Sequence, residues 1–297
     1  MPPRLRIGCL ILLAFFLTLA FAGAALVFYQ ARRTPAGRPQ YVALGSSFAA
    51  GAGLGPLQDG SPLLCARSIN GYPQRLARML RLDIVDMSCG GAITTQLLAG
   101  GQFFQGPQIR AITRETRLVT VTVGGNDVGY VGDLAMLAAR NSDTLFGRGV
   151  RQFWAGPRSA TARDFPALER TLLALLKAIH QRAPNATVVV ATYPTILPAR
   201  STCARVGLRP AEADFMRKVG DQLAATTRAA VRRGGATLVD MHSLGANHDA
   251  CSAAPWTRGW TNGGAAPFHP SILGAQATAD AIARALDHSP DRIATVH

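Results

Sequence analysis

Lysine is almost missing from this chain of 297 residues: Lys177 and Lys218 are the only two, so the formal net charge of +14 is carried by arginine. The arginine bias reads as the mark of a GC-rich coding genome. Acidic residues are also scarce, 17 against 31 basic ones. The arginines nevertheless fall in ones and twos, with no basic stripe interleaved with aromatics, and this excludes the usual nucleic-acid footprint. A cell-envelope setting rich in anionic surfaces fits the charge better. The histidines have no ligand spacing such as His-x-x-x-His and the cysteines are spaced for disulfides, so neither a metal nor an organic cofactor is expected. No internal repeat or second core pattern occurs. With 48% hydrophobic residues, the chain can bury one full domain core with appendages.

Charge is absent altogether from Ile7 to Tyr29, between Arg4 and Arg6 on one side and Arg32 and Arg33 on the other. A secretory apolar region runs about 7 to 15 residues, whereas a spanning helix needs roughly 20. The length therefore favours an uncleaved membrane anchor, with a cleaved signal peptide ending near Ala20-Phe21-Ala22 or Ala22-Gly23-Ala24 as the alternative. Arginines on both flanks leave the positive-inside rule undecided. Cysteine bears on the orientation. Cys9 lies within the apolar segment and is read as a membrane-buried thiol. Cys65, Cys89, Cys203 and Cys251 remain outside it, an even number that suggests two disulfides in an oxidising compartment. Three connectivities are open, and Cys65 to Cys89 with Cys203 to Cys251 is the expected one. The implied division is residues 1–33 as anchor, 34–40 as linker, 41–288 as one domain and 289–297 as tail.

Short runs rich in β-branched residues recur at Tyr41 to Leu44, Ile84 to Met87, Leu118 to Val123, Thr187 to Thr192 and Thr237 to Val239, as expected for strands buried on both faces of a parallel sheet. Helical patterns alternate with them. Pro73 opens one; Asp164 caps another, with Pro166 in its first turn; Pro210 begins a third that Gly234 and Gly235 stop; and Pro270 opens the last. The alternation implies a three-layer α/β domain. Asp133 to Arg163 shows no clear period and reads as an insertion or lid.

Three stretches carry the chemistry: Gly45-Ser46-Ser47-Phe48-Ala49-Ala50-Gly51, Gly124-Gly125-Asn126-Asp127 and Phe268-His269-Pro270. A serine nucleophile needs a base to take its proton, and the oxyanion it creates needs fixed donors. Ser47, His269 and Asn126 are those residue types. Each falls after a strand, as does Cys89-Gly90-Gly91, and the carboxyl ends of parallel strands are where open α/β sheets bind ligands. The four cysteines fall in the same loops, so both bridges are expected to brace the rim of the site. An α/β-hydrolase reading fails, because Ala49 stands where the second glycine of Gly-x-Ser-x-Gly is required and the motif follows the first strand.

From Tyr41 to about Leu286 the chain resembles the SGNH hydrolase superfamily, also called the GDSL esterase and lipase family. Gly45-Ser46-Ser47, Gly91 within Cys89-Gly90-Gly91-Ala92, Gly124-Gly125-Asn126-Asp127 and His269-Pro270 match its four blocks in order. The resemblance implies a flavodoxin-like sheet of five parallel strands and a serine esterase or lipase acting on carboxylic esters of a lipid or an acylated envelope glycan. Ser47 is then the nucleophile and His269 the general base, with the oxyanion held by the N–H groups of Ser47 and Gly91 and the Asn126 amide. The spacing of Cys65 and Cys89, and of Cys203 and Cys251, is similar to disulfide patterns in secreted actinobacterial-type members. Two departures stand out: Ser46 replaces the usual Asp of the first block, and Ala266 replaces the usual Asp three residues before the histidine. Some members use a main-chain carbonyl there, so the Ala266 carbonyl is the expected acceptor for the His269 ring, with Asp240 and Asp249 as weaker substitutes. The missing carboxylates also leave a second reading, a degenerate envelope-binding protein that has kept the fold. Trp154, Trp256, Trp260 and Phe103-Phe104 read as packing residues, or as an acyl-chain wall if the pocket faces lipid.

Overall fold

Alternate residues of the strands bury themselves on opposite sides of one sheet, and this divides the core in two. Val42, Leu44, Val119, Val121, Val188 and Val190 belong to one apolar cluster, and Tyr41, Ala43, Leu118, Val189, Ala191 and Val239 to the other. The computed structural model describes residues 3–32, 38–261 and 266–287. Most of the expected linker, the tail 289–297 and the side chain of Cys9 lie outside the described residues.

The strands are β1 (Tyr41–Gly45), β2 (Ile84–Asp86), β3 (Leu118–Thr122), β4 (Thr187–Ala191) and β5 (Thr237–Val239). All neighbours are parallel, in the order β2-β1-β3-β4-β5. The helices are α1 (Pro3–Arg32), α2 (Ser47–Ala50), α3 (Tyr72–Leu80), α4 (Thr94–Ala99), α5 (Tyr130–Asn141), α6 (Leu145–Phe153), α7 (Phe165–Arg182), α8 (Pro210–Gly234), α9 (Met241–Leu244) and α10 (Ile272–Asp287). Side chains of α4, α5, α7 and α8 pack in the first cluster, and those of α3 and α10 in the second. The result is the α/β/α sandwich expected of the sequence.

Local signals set the helix starts. The Asp164 carboxylate accepts from the Ala167 N–H at 2.8 Å, supplying one of the acceptors that a first turn lacks. Pro73, Pro166 and Pro210 lie at first-turn positions, where their missing N–H costs nothing.

The stretch from Asp133 to Arg163, which shows no clear period in the sequence, is largely helical, since α5 and α6 occupy most of it. Its period is obscured because Leu145, Phe146 and Phe153 of α6 face outward, 78%, 61% and 85% exposed, so apolar positions do not mark the buried face.

Both expected disulfides form, Cys65 to Cys89 and Cys203 to Cys251, with sequence separations of 24 and 48. In the chain-entropy account such loops contribute roughly 3 to 4 kcal/mol each. The apolar part of α1, Leu10–Ala31, is 22 residues long with a mean hydropathy of 2.7, long and apolar enough to cross a membrane, and its large apolar side chains are exposed.

Candidate active site

Consecutive strands depart in opposite directions from β1, toward β2 on one side and β3 on the other, and this switch point opens a crevice beyond the carboxyl ends of β1 and β3. The first block lies on one lip and the third on the other. β1 ends at Gly45, whose φ of +147° and position against β3 admit only glycine: a Cβ there would lie 2.3 Å from the Thr122 carbonyl oxygen. The buried Gln108 amide clamps the same residue from outside the sheet, accepting from the Gly45 N–H at 2.8 Å and donating to its carbonyl at 3.0 Å.

Ser46 and Ser47 separate at this turn. Ser46 is 0% exposed and its Oγ shares a 2.8 Å hydrogen bond with the Tyr193 hydroxyl, whereas Ser47 retains 8% exposure at the first position of α2. The Ser47 N–H is among the first N–H groups of a helix, which have no intrahelical acceptor. Tyr193 also accepts from the Gly125 N–H at 3.2 Å, so one phenol ties the first block to the third. Burial pushes that phenol up to about 12, which keeps it neutral and able to donate.

The third block in turn positions the second. The Asn126 amide donates to the Ala92 carbonyl at 2.9 Å, and the Asp127 carboxylate accepts from the Thr94 N–H at 3.0 and 3.1 Å. Burial raises the Asp127 carboxyl above its ordinary value, against the pull of the Thr94 hydrogen bonds. Gly91 lies between these anchors and the Cys65–Cys89 bridge, exposed and with φ of +79°, a backbone conformation that a side chain would strain. An amide has two N–H hydrogens, so Asn126 keeps one beyond the bond to Ala92.

His269 arrives from the far end of the chain. Its ring stacks on Phe48, the neighbour of Ser47, at 5.5 Å between centroids and 30° between planes. The ring nitrogen Nδ1 lies 2.9 Å from the Pro267 carbonyl, not the expected Ala266 carbonyl. The reason is local: Phe268 is fully buried with φ of +60°, and this left-handed turn brings the carbonyl two residues back onto the ring. Ala266 instead packs against the glycine-rich turn after α2, where a Cβ on Gly53 would meet its methyl at 2.7 Å. A carbonyl only accepts, so Nδ1 carries the proton and Nε2 the lone pair. Burial lowers the imidazole pKa, opposed by the Pro267 hydrogen bond and reinforced by the Arg258 charge. Asp240 and Asp249 are committed elsewhere, Asp240 to an ion pair with Arg228 at 2.9 Å and Asp249 to the Cys251 N–H at 2.7 Å.

Tyr193, Gln108 and Arg258 escaped the sequence reading. Tyr193 had a detectable signal, since it follows β4 at the same carboxyl edge. Gln108 and Arg258 had none, being placed by loops without period.

A parallel five-stranded sandwich with four ordered blocks at one edge defines the class of SGNH carboxylic-ester hydrolases. The chain belongs to the GDSL-like lipase/acylhydrolase family, whose model matches residues 43–277. It is 33% identical over 283 residues to Lipase 2 of Streptomyces coelicolor, covering 90% of each chain. It is also 31% identical over 241 residues to a lipase of Streptomyces rimosus, covering 79% of this chain and 81% of that one. Among solved structures, the extracellular lipase of Streptomyces rimosus superposes with a TM-score of 0.66 at 28% identity, covering 82% of this chain and 98% of that chain. Phospholipase A1 of Streptomyces albidoflavus NA297 shares the fold with a TM-score of 0.65 at 24% identity, covering 84% of this chain and 99% of that chain.

Proposed function

We propose that the protein is an extracytoplasmic serine esterase, held to the membrane by α1, in which Ser47 is the nucleophile and His269 the general base. The observation that carries the mechanism is the Pro267 carbonyl on His269 Nδ1, which selects the tautomer with a basic Nε2 and does the orienting work of the absent carboxylate. Ser47 Oγ attacks the ester carbonyl while Nε2 takes its proton. The N–H groups of Ser47 and Gly91 and the second Asn126 N–H stabilise the oxyanion. Collapse of the tetrahedral intermediate breaks the bond to the alcohol oxygen, which leaves with the proton from Nε2. Water, deprotonated by the same nitrogen, then releases the carboxylic acid and restores Ser47.

Two disulfides in the loops and the extracellular relative support a domain outside the cytoplasm. The length of the apolar helix supports retention at the membrane.

The test is labelling of the full chain with a fluorophosphonate, followed by peptide mass spectrometry. An adduct is expected on Ser47 and is expected to be lost in His269→Ala. No adduct on a folded protein with both bridges formed would refute the esterase reading and favour a binding protein on a hydrolase fold.

The pH profile follows from the burial of His269. A lowered imidazole pKa keeps Nε2 unprotonated further into acid, so the acid limb of kcat/KM is expected to have its midpoint below 6.5, the ordinary histidine value. Arg258→Gln removes a charge that disfavours the imidazolium and should move the limb upward. A midpoint at or above 6.5 in the parent enzyme would contradict the assignment.

A further inference from the structure

The last turns of α1 do not stand clear of the domain. The Phe28 ring meets the Phe104 ring edge-on at 6.0 Å between centroids, and Gln30 Oε1 accepts from the Leu63 N–H at 3.1 Å. The Arg110 guanidinium donates to the Ala31 carbonyl at 3.5 Å. Two loops are thus fixed at the level where the apolar helix ends. Both turn large apolar side chains outward beside it: Leu63 and Leu64 are 61% and 45% exposed, Phe103 and Phe104 40% and 61%. Phe103 and Phe104 both have left-handed backbones, at φ of +47° and +64°, an unfavourable conformation for bulky residues.

The same loops are wired to the site. Leu63 and Leu64 lead directly into Cys65, which is bridged to Cys89 and accepts through its carbonyl from the Gly90 N–H at 2.9 Å. Gln102, next to Phe103, donates to the Gly90 carbonyl at 2.6 Å, and Gln105 donates to the Cys65 sulfur at 2.8 Å. Gly91 is the adjoining residue. Helix end, outward apolar side chains and oxyanion loop therefore form one connected unit.

We propose that Leu63, Leu64, Phe103 and Phe104 are a bilayer-facing surface that seats the site on the membrane crossed by α1, so that the ester hydrolysed belongs to a lipid of that same membrane. The inference rests on the esterase reading and names its substrate class. A spanning helix ends at the bilayer interface, and side chains tied to its last turn share that depth. Aromatic and leucine side chains at this level bury their apolar parts among the acyl chains while the backbone stays at the headgroups. The net charge of +14 favours approach to anionic lipid. A lipid rising slightly from the leaflet would present its ester carbonyl beside Gly91 with its acyl chain still against the phenylalanines, whereas an envelope glycan would gain nothing from this surface.

The test uses the full chain reconstituted in vesicles of phosphatidylcholine and phosphatidylglycerol. In a Phe104→Trp variant, emission beyond that of the three native tryptophans is expected to be quenched by lipids brominated in the upper acyl chain. In a Leu63→Ser/Leu64→Ser variant, the ratio of vesicle-lipid hydrolysis to short-chain soluble-ester hydrolysis is expected to fall about tenfold. Absence of quenching, or an unchanged ratio, would overturn the proposal. Fluorophosphonate labelling of the same samples separates the two readings: a Ser47 adduct without quenching rejects the membrane-facing surface alone, and quenching without an adduct rejects the esterase and its lipid-ester substrate while the bilayer-facing surface stands.

Discussion

Ser47→Ala is expected to lower kcat/KM for a soluble ester by about 10⁴-fold or more while leaving the fold intact. The fold should survive because Ser47 serves the turn through its main chain: its carbonyl accepts from the N–H groups of Gly51 and Ala52, and alanine keeps both bonds. Only the oxygen proposed to form the acyl-enzyme is lost. His269→Ala is expected to cost a comparable factor, and the double variant little more than either single one, because the proposed nucleophile and base would act as one unit. Ser46 cannot take over, being fully buried and held by Tyr193. Steady-state kinetics on the three variants, with thermal unfolding as the check on folding, decides the matter. Retention of a tenth of the activity by Ser47→Ala would reject it as nucleophile.

The second large effect is expected at Asn126. Replacement by alanine removes one of the proposed oxyanion donors, and such donors are worth about 100- to 1,000-fold in kcat with little change in KM, because charge develops on the oxygen only in the transition state. Asn126 also holds the Ala92 carbonyl, so some loss of stability is expected as well. Asp127→Asn separates the contributions: it weakens the clamp on Thr94 but spares the Asn126 amide. A much smaller fall in kcat than for Asn126→Ala is therefore expected for Asp127→Asn. Equal falls, or a rise in KM alone for Asn126→Ala, would mean that the side chain only shapes the loop.

Much of the arrangement was legible from residue types alone. β-branched runs three to six residues long, separated by helical patterns, mark a buried parallel sheet, and the structure has its strands within a residue or so of those runs. The glycine, serine and asparagine blocks follow strand ends, so any right-handed parallel arrangement carries them to one edge. The α6 segment was unreadable for the opposite reason. Its leucine and phenylalanines face outward, and periodicity locates a helix only when apolar residues mark the buried side.

The exchange of Ala266 for Pro267 as the partner of His269 shows the limit more sharply. The family resemblance placed the acceptor within one residue, yet a single left-handed φ at Phe268 decides which carbonyl meets the ring, and nothing in the residue order requires that turn. Tyr193 and Gln108 belong to the same category, since a hydroxyl bridging Ser46 to Gly125 and an amide clamping Gly45 act across long sequence separations. By itself, the sequence determined the fold class, the chemical character and order of the blocks, the number of cysteines outside the apolar segment and the existence of that segment. Tertiary structure alone decided the histidine's partner, the tyrosine link between the blocks and the seating of the α1 end beside the Gly91 loop. Periodicity and composition encode which face of an element is buried, while hydrogen bonds between loops depend on backbone angles and approach distances that only the packed chain sets.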